Sequence, residues 1–241
     1  MFDTMMERRP VQGLLFDMGD VLYDATGWRR WLLQLLSRMG LHTHYRTLYH
    51  IWDDDFLADV YRGRRDYHEA FQSFLLSIGL SHGQIDEVQA ASQARKRDLE
   101  ANARPLPGVR ATVSRLAGQG VALAVLSDSE QDGDGLRAQL GRLGLGGYFS
   151  AVLSSIDLEY TKPSPVCYRA ALAAMQLASD DVAFVGHDGD ELVGARAVGL
   201  QTIAFNYGPG AVADHYLTRF DELLQVVDAR YHHADPLTSA A

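Results

Sequence analysis

Apolar positions first cluster at Val11–Phe16, a short run that stops at Asp17 and Gly19. A run that is apolar without alternation and ends on turn-forming residues predicts a strand buried on both faces. The period then changes. Trp28, Trp31, Leu32, Leu35, Leu36 and Met39 share one face at helical spacing, and Gly40 closes that helix. Helical patterning continues over Tyr45–Val60 and over Tyr67–Ile78, the latter stopped by Gly79. Ser81 with Gln84 forms a capping box that opens a helix to about Ala101. No convincing strand interrupts this stretch up to about residue 103.

The texture changes at Pro105-Leu106-Pro107-Gly108. Beyond it strands at Val121–Leu126, Ala151–Ser154, Val182–Val185 and Thr202–Phe205 alternate with helices at Gly135–Leu143, Pro165–Met175 and Asp190–Val198. Such alternation predicts an α/β fold, a Rossmann-like parallel sheet with helices on both faces. Val11–Phe16 has the same strand character. Residues 1–23 and 104–241 therefore read as one α/β core, and residues 24–103 as an all-α insertion.

Length and charge narrow the function. The 241 residues suffice for a sizeable core with an accessory unit. Net charge is −9 and the longest basic tract is Arg62-Gly63-Arg64-Arg65, the wrong balance for binding nucleic acid. No apolar run approaches the roughly 20 residues that span a bilayer, so no membrane partner is expected. Met1–Pro10 lacks an apolar segment of signal-peptide type, and Cys167 is the single cysteine, which together suggest a reducing cytoplasm. Cys167 itself reads as a small buried hydrophobe on a helix. His232-His233 reads as part of a frayed tail rather than a metal site. Nothing in the sequence separates a monomer from a homodimer.

Four segments carry the chemistry: Phe16-Asp17-Met18-Gly19-Asp20-Val21, Val125-Leu126-Ser127-Asp128, Thr161-Lys162-Pro163 and Val185-Gly186-His187-Asp188-Gly189-Asp190-Glu191. Three of them follow strand-like runs, and in open α/β sheets ligands bind where the carboxyl ends of strands converge. Asp17 can attack phosphorus and form an aspartyl-phosphate, or merely cap a turn. Ser127 can hydrogen-bond a phosphoryl oxygen while capping the helix that follows. Asp128 beside it adds negative charge that a cation must screen. Lys162, fixed ahead of Pro163 and Pro165, can offset charge on a nucleophile and a transferring group. Asp188, Asp190 and Glu191 crowd one loop. Glu130–Gly135 superficially suggests a calcium loop, but it lacks the first aspartate and has Gly141 where the closing glutamate belongs.

The order and spacing of these four segments resemble the haloacid dehalogenase superfamily, most of whose members are phosphatases. The resemblance extends to Gly194-Ala195 and Gly199, and to the position of the helical insertion, which in that family caps the active site. It implies Asp17 as nucleophile, Lys162 as its cationic partner, Ser127 and Asp128 at the phosphate, and Mg²⁺ or another divalent metal held by Asp17, Gly19, Asp188 and Glu191. A small phosphorylated metabolite is the implied substrate, met in the cap by Trp28, Arg29, Arg30, Trp31 and the Arg62–Arg65 cluster, residues that also read as helix core and solvated face. Two positions depart from the pattern. His187 stands where the family has a metal-binding aspartate, and imidazole suits softer metals than Mg²⁺. Gly19 stands where its phosphatases carry a general acid, with Asp20 one residue late and turned to the other side. Two alternatives follow: a weak or inactive phosphometabolite-binding protein, or a dehalogenase. Dehalogenases of the family, however, carry an aromatic residue at the Gly19 position and asparagine after Ser127.

Overall fold

The computed structural model describes residues 11–231. The readings of Met1–Pro10 and His232-His233 fall outside the described residues. After β1 (Gly13–Phe16) the chain builds a helical unit from α1 (Gly27–Arg38), α2 (Tyr45–Ile51), α3 (Ala58–Tyr61), α4 (Tyr67–Ser77) and α5 (His82–Asn102). A π-helical turn, Trp52–Leu57, joins α2 to α3 into a nearly continuous rod. It seats the buried Trp52 against Phe71 and Phe74, with ring centroids 5.6 and 5.0 Å away. The unit has its own apolar cluster, including Leu32, Leu36, Trp52, Phe71, Phe74 and Val88. Gln84 accepts from the Ser81 backbone N–H at 3.0 Å, so the capping signal marks the true start of α5.

Then follow α6 (Val109–Gly118), β2 (Ala122–Ser127), α7 (Gly133–Arg142), β3 (Ala151–Ser154), α8 (Ser155–Leu158), α9 (Pro165–Met175), β4 (Val182–Gly186), α10 (Gly189–Ala197), β5 (Gln201–Phe205), β6 (His215–Leu217) and α11 (Leu223–Tyr231). The strands form one parallel sheet in the order β3-β2-β1-β4-β5-β6, the Rossmann-like arrangement expected from sequence. Side chains alternate between two buried faces. Leu14, Phe16, Val125 and Val185 pack with Val113 and Leu116 of α6 and Leu136 of α7. Leu15, Ala124, Leu126 and Phe184 pack with Tyr168 of α9 and Leu192 of α10. Strands buried on both sides read as near-continuous apolar runs, which is why they were legible.

From β1 the sheet grows one way to β2 and β3 and the other way to β4, β5 and β6. Phe16 pairs with Val125 on one side and Val185 on the other, so the three strands end side by side. Loops leaving adjacent strands in opposite directions leave a crevice at that point, where α/β proteins bind ligands.

Candidate active site

Asp17 is the first residue after β1, and its backbone N–H still bonds to Val185 at 2.9 Å. That last rung fixes where its side chain points. Oδ1 accepts from the Met18 N–H at 2.8 Å and from Lys162 Nζ at 2.6 Å. Oδ2 lies 3.1 Å from His187 Nδ1. Asp17 is 5% exposed, and burial alone would resist its ionisation. The charges and hydrogen bonds of Lys162 and His187 outweigh burial and hold its pKa at about 2. An ionised carboxylate can only accept, so the His187 nitrogen facing it carries a proton.

Lys162 arrives from the opposite side of the crevice. Its ammonium bridges Asp17 and Glu191, at 2.6 and 3.0 Å, and is almost wholly buried. Its backbone N–H donates to Asp128 Oδ1 at 3.1 Å, and a cis peptide bond follows it at Pro163. The loop can lie this close because of Gly194. A Cβ there would sit 2.6 Å from Pro163 Cβ and 2.7 Å from the Pro163 carbonyl oxygen. Glycine therefore lets α10, which carries Glu191, press onto the loop that carries Lys162. Glu191 shares its cation with a stronger competitor. Burial raises its carboxyl to about 8, and Lys162, committed mainly to Asp17, offsets this only in part.

Ser127 ends β2, 7% exposed. Asp17, Ser127, Asp128, Lys162, His187, Asp188 and Glu191 all line one cavity of about 760 Å³. Four segments far apart in sequence thus meet around a common space. The same cavity runs up to the helical unit, where Trp28, Arg29, Tyr45, Tyr61, Tyr67 and Lys96 form its wall. Arg29 is held by Asp53 through two bonds of 2.6 Å. Lys96 pairs with Glu130 at 2.7 Å and lies 3.5 Å above the Tyr67 ring. Sequence reasoning missed Lys96 and the tyrosines, since nothing local marks which face of a helix meets a distant cavity. Three of the other arginines it named have partners of their own: Arg30 with Asp24 at 3.5 Å, Arg62 with Thr161 at 3.3 Å and Arg65 with Ser73 at 2.5 Å.

Asp20 also borders the cavity, in a left-handed conformation at φ 55°. Its Oδ1 accepts from the Ala25 N–H at 2.9 Å, which turns the side chain along the loop. Burial raises its pKa.

The positions proposed from sequence for a divalent cation are Asp17, Gly19, Asp188 and Glu191. Gly19 could offer only its backbone carbonyl. Asp188 Oδ1 accepts from the N–H groups of Asp190 and Glu191, at 2.9 and 3.1 Å, and caps α10. Both oxygens of Asp17 are occupied, by lysine and imidazole, and Glu191 is held by the same lysine. Among the described residues no three His, Cys, Asp or Glu side chains are grouped to hold a metal ion. Mg²⁺ needs a near-octahedral set of oxygens, and as arranged these side chains do not fit it. The acidic stretch Glu130–Gly135 has the same local explanation as Asp188: Asp132 caps α7, accepting from the Gly135 N–H at 2.8 Å.

Known proteins share this frame. A phosphoglycolate phosphatase from Yersinia pestis is 25% identical over 231 residues, covering 92% of this chain and 96% of that one. A glyceraldehyde 3-phosphate phosphatase from Pyrococcus furiosus is 26% identical over 235 residues, covering 91% and 94%. The crystal structure of a 2-haloacid dehalogenase from Pseudomonas syringae superposes with a TM-score of 0.62 at 20% identity, covering 92% of this chain and 99% of that one. The family model for haloacid dehalogenase-like hydrolases matches residues 11–199, well over half the chain. This protein belongs to the haloacid dehalogenase-like hydrolases.

Proposed function

We propose that the protein is a phosphatase that hydrolyses a small phosphorylated metabolite through an aspartyl-phosphate on Asp17. The observation that carries this reading is the buried Asp17–Lys162 pair at the carboxyl end of β1, open to a cavity of about 760 Å³. One carboxyl oxygen of Asp17 attacks phosphorus, and the bond to the leaving oxygen breaks with its electron pair. Water then attacks the acyl-phosphate at phosphorus, restoring the carboxylate and releasing inorganic phosphate. Splitting the displacement this way replaces one difficult step by two easier ones. Lys162 and the hydroxyl of Ser127 stabilise the charge that develops on the phosphoryl oxygens. Asp128 holds the Lys162 backbone in place from beside the phosphate. The helical unit closes the site as a cap, excluding water and selecting the substrate.

The phosphatases among its relatives support this class over dehalogenation. So does Gly19, where the family's dehalogenases carry an aromatic residue. Without a positioned acid at Gly19 the leaving group departs largely unprotonated, so acyl and anomeric phosphates are favoured over alkyl esters. General acid help is typically worth about 10²–10⁴ in rate. Hydrolysis of acetyl phosphate and p-nitrophenyl phosphate by wild type and by Asp17→Asn tests the reading. Activity is expected in the first and not in the second. Equal activity in the variant, or a kcat/KM indifferent to leaving-group pKa, would count against it.

A further inference from the structure

The second oxygen of Asp17 faces an imidazole. In the mechanism proposed above, a cation is wanted at that oxygen, because a dianionic phosphoryl group must approach a carboxylate. Four further acids surround the place: Asp20, Asp128, Asp188 and Glu191 line the same cavity. Lys162 answers only one side, lying 2.6 Å from Oδ1. On the other side His187 Nδ1 lies 3.1 Å from Oδ2, and the ring is two-thirds buried.

We propose that His187 does at Oδ2 of Asp17 what a divalent cation does in the family's phosphatases, so that phosphoryl transfer here needs no metal. This rests on the phosphatase reading of the same site. Three observations converge on it. His187 is the first residue after β4, the strand paired with β1, and so leaves the sheet beside Asp17. Its N–H must point at Asp17, because the carboxylate has nothing to donate. Both oxygens of Asp17 are bound instead to lysine and imidazole, and one oxygen each of Glu191 and Asp188 to the same lysine and to helix amides. The imidazole N–H serves the attacking group and then an oxygen of the transferred phosphoryl. Lys162 does the same from the far side. His187 donates hydrogen bonds and forms no covalent bond, so the phosphoryl group passes only between substrate, Asp17 and water. The rival arrangement, Mg²⁺ on Asp17, the Gly19 carbonyl, Asp188 and Glu191, requires His187 to swing away from Oδ2 of Asp17.

The test compares wild type with His187→Asp after exhaustive chelation. Thermal unfolding and titration calorimetry follow added Mg²⁺ and Mn²⁺, with matched ionic strength as control. Acetyl phosphate hydrolysis is measured with and without metal. Wild type is expected to keep its rate within about twofold after chelation and to show no metal-specific shift in Tm. The carboxylate variant should lose about 10²-fold without metal, the size of one lost charge-stabilising donor, and should gain metal binding and metal-dependent activity. A wild type that binds Mg²⁺, or whose activity disappears with chelator and returns with Mg²⁺, overturns the proposal. If the variant does not fold, His187→Asn and the wild-type titration still decide it. If wild type hydrolyses nothing under any condition, the phosphatase reading fails instead, and the wild-type metal titration still judges the proposal.

Discussion

The two halves of the cavity differ in what fills them. On the sheet side the polar groups converge on one lysine: Asp17 and Glu191 meet its ammonium, Asp128 its backbone N–H, and His187 meets Asp17 from the other side. On the helical side aromatic rings make most of the wall, with Arg29 tied to Asp53 and Lys96 to Glu130 among them, and Tyr67 Oη is buried with no hydrogen-bond partner. The sheet side is thus a closed electrostatic network, costly to disturb and suited to one chemical step. The helical side instead keeps a buried hydroxyl without a partner, on a ring that lies under Lys96. The difference teaches where to look for chemistry and where for selectivity.

The comparison breaks first at Lys162. Lys162→Met leaves two buried carboxyl groups without their cation, and removing one partner of a buried pair costs about 3–5 kcal/mol. Hydrolysis should fall about 10²–10³-fold, read by kcat, with a lower Tm in calorimetry. Next comes Gly194→Ala, which touches no charge. The added Cβ must displace the Pro163 backbone at 2.7 Å, so stability should drop about 1–3 kcal/mol and kcat should fall with it. If activity stays normal, the close approach of α10 does not position Lys162.

Asp128 offers a smaller, pH-dependent effect. Burial, only partly offset by the charge and backbone N–H of Lys162, pushes its carboxyl from 3.8 up to about 6. The folded state therefore holds this proton more tightly than the unfolded chain, so its contribution weakens as pH rises from 3.8 through about 6. Asp128→Asn keeps an acceptor for the Lys162 N–H and removes the titration. Its Tm should decline less than that of wild type between those pH values, and its KM for phosphate esters should fall. The smallest effect belongs to the helical wall. Tyr67→Phe removes an unsatisfied buried hydroxyl and should stabilise by about 1 kcal/mol. A KM that rises severalfold with kcat unchanged would assign the hydroxyl to substrate.

The sheet was legible because doubly buried strands announce themselves, and α5 because its capping box is local. Val109–Gly118 escaped notice, since Gly118 and the following Gly120 blur its end, although Val109, Val113 and Leu116 keep helical spacing. His215–Leu217 escaped because a three-residue edge strand with one buried side chain has no period to read. The π-helical turn was hidden inside an otherwise regular pattern. In the site, Asp17 and Ser127 stood out at strand ends and Lys162 through the family resemblance, and all three line one cavity. The tie between His187 and Asp17 was not legible. Those residues lie 170 apart in sequence, and only the pairing of β1 with β4 brings them together. Asp188 was weighed as a ligand because a carboxylate is visible in sequence and a helix cap beside it is not.

The nucleophile can be caught directly. Turnover of acetyl phosphate quenched with acid and then reduced with borohydride converts an aspartyl-phosphate to homoserine, which peptide mass spectrometry locates. Homoserine is expected at position 17 and nowhere else. Modification at another carboxylate, or none under conditions where phosphate is released, would contradict it.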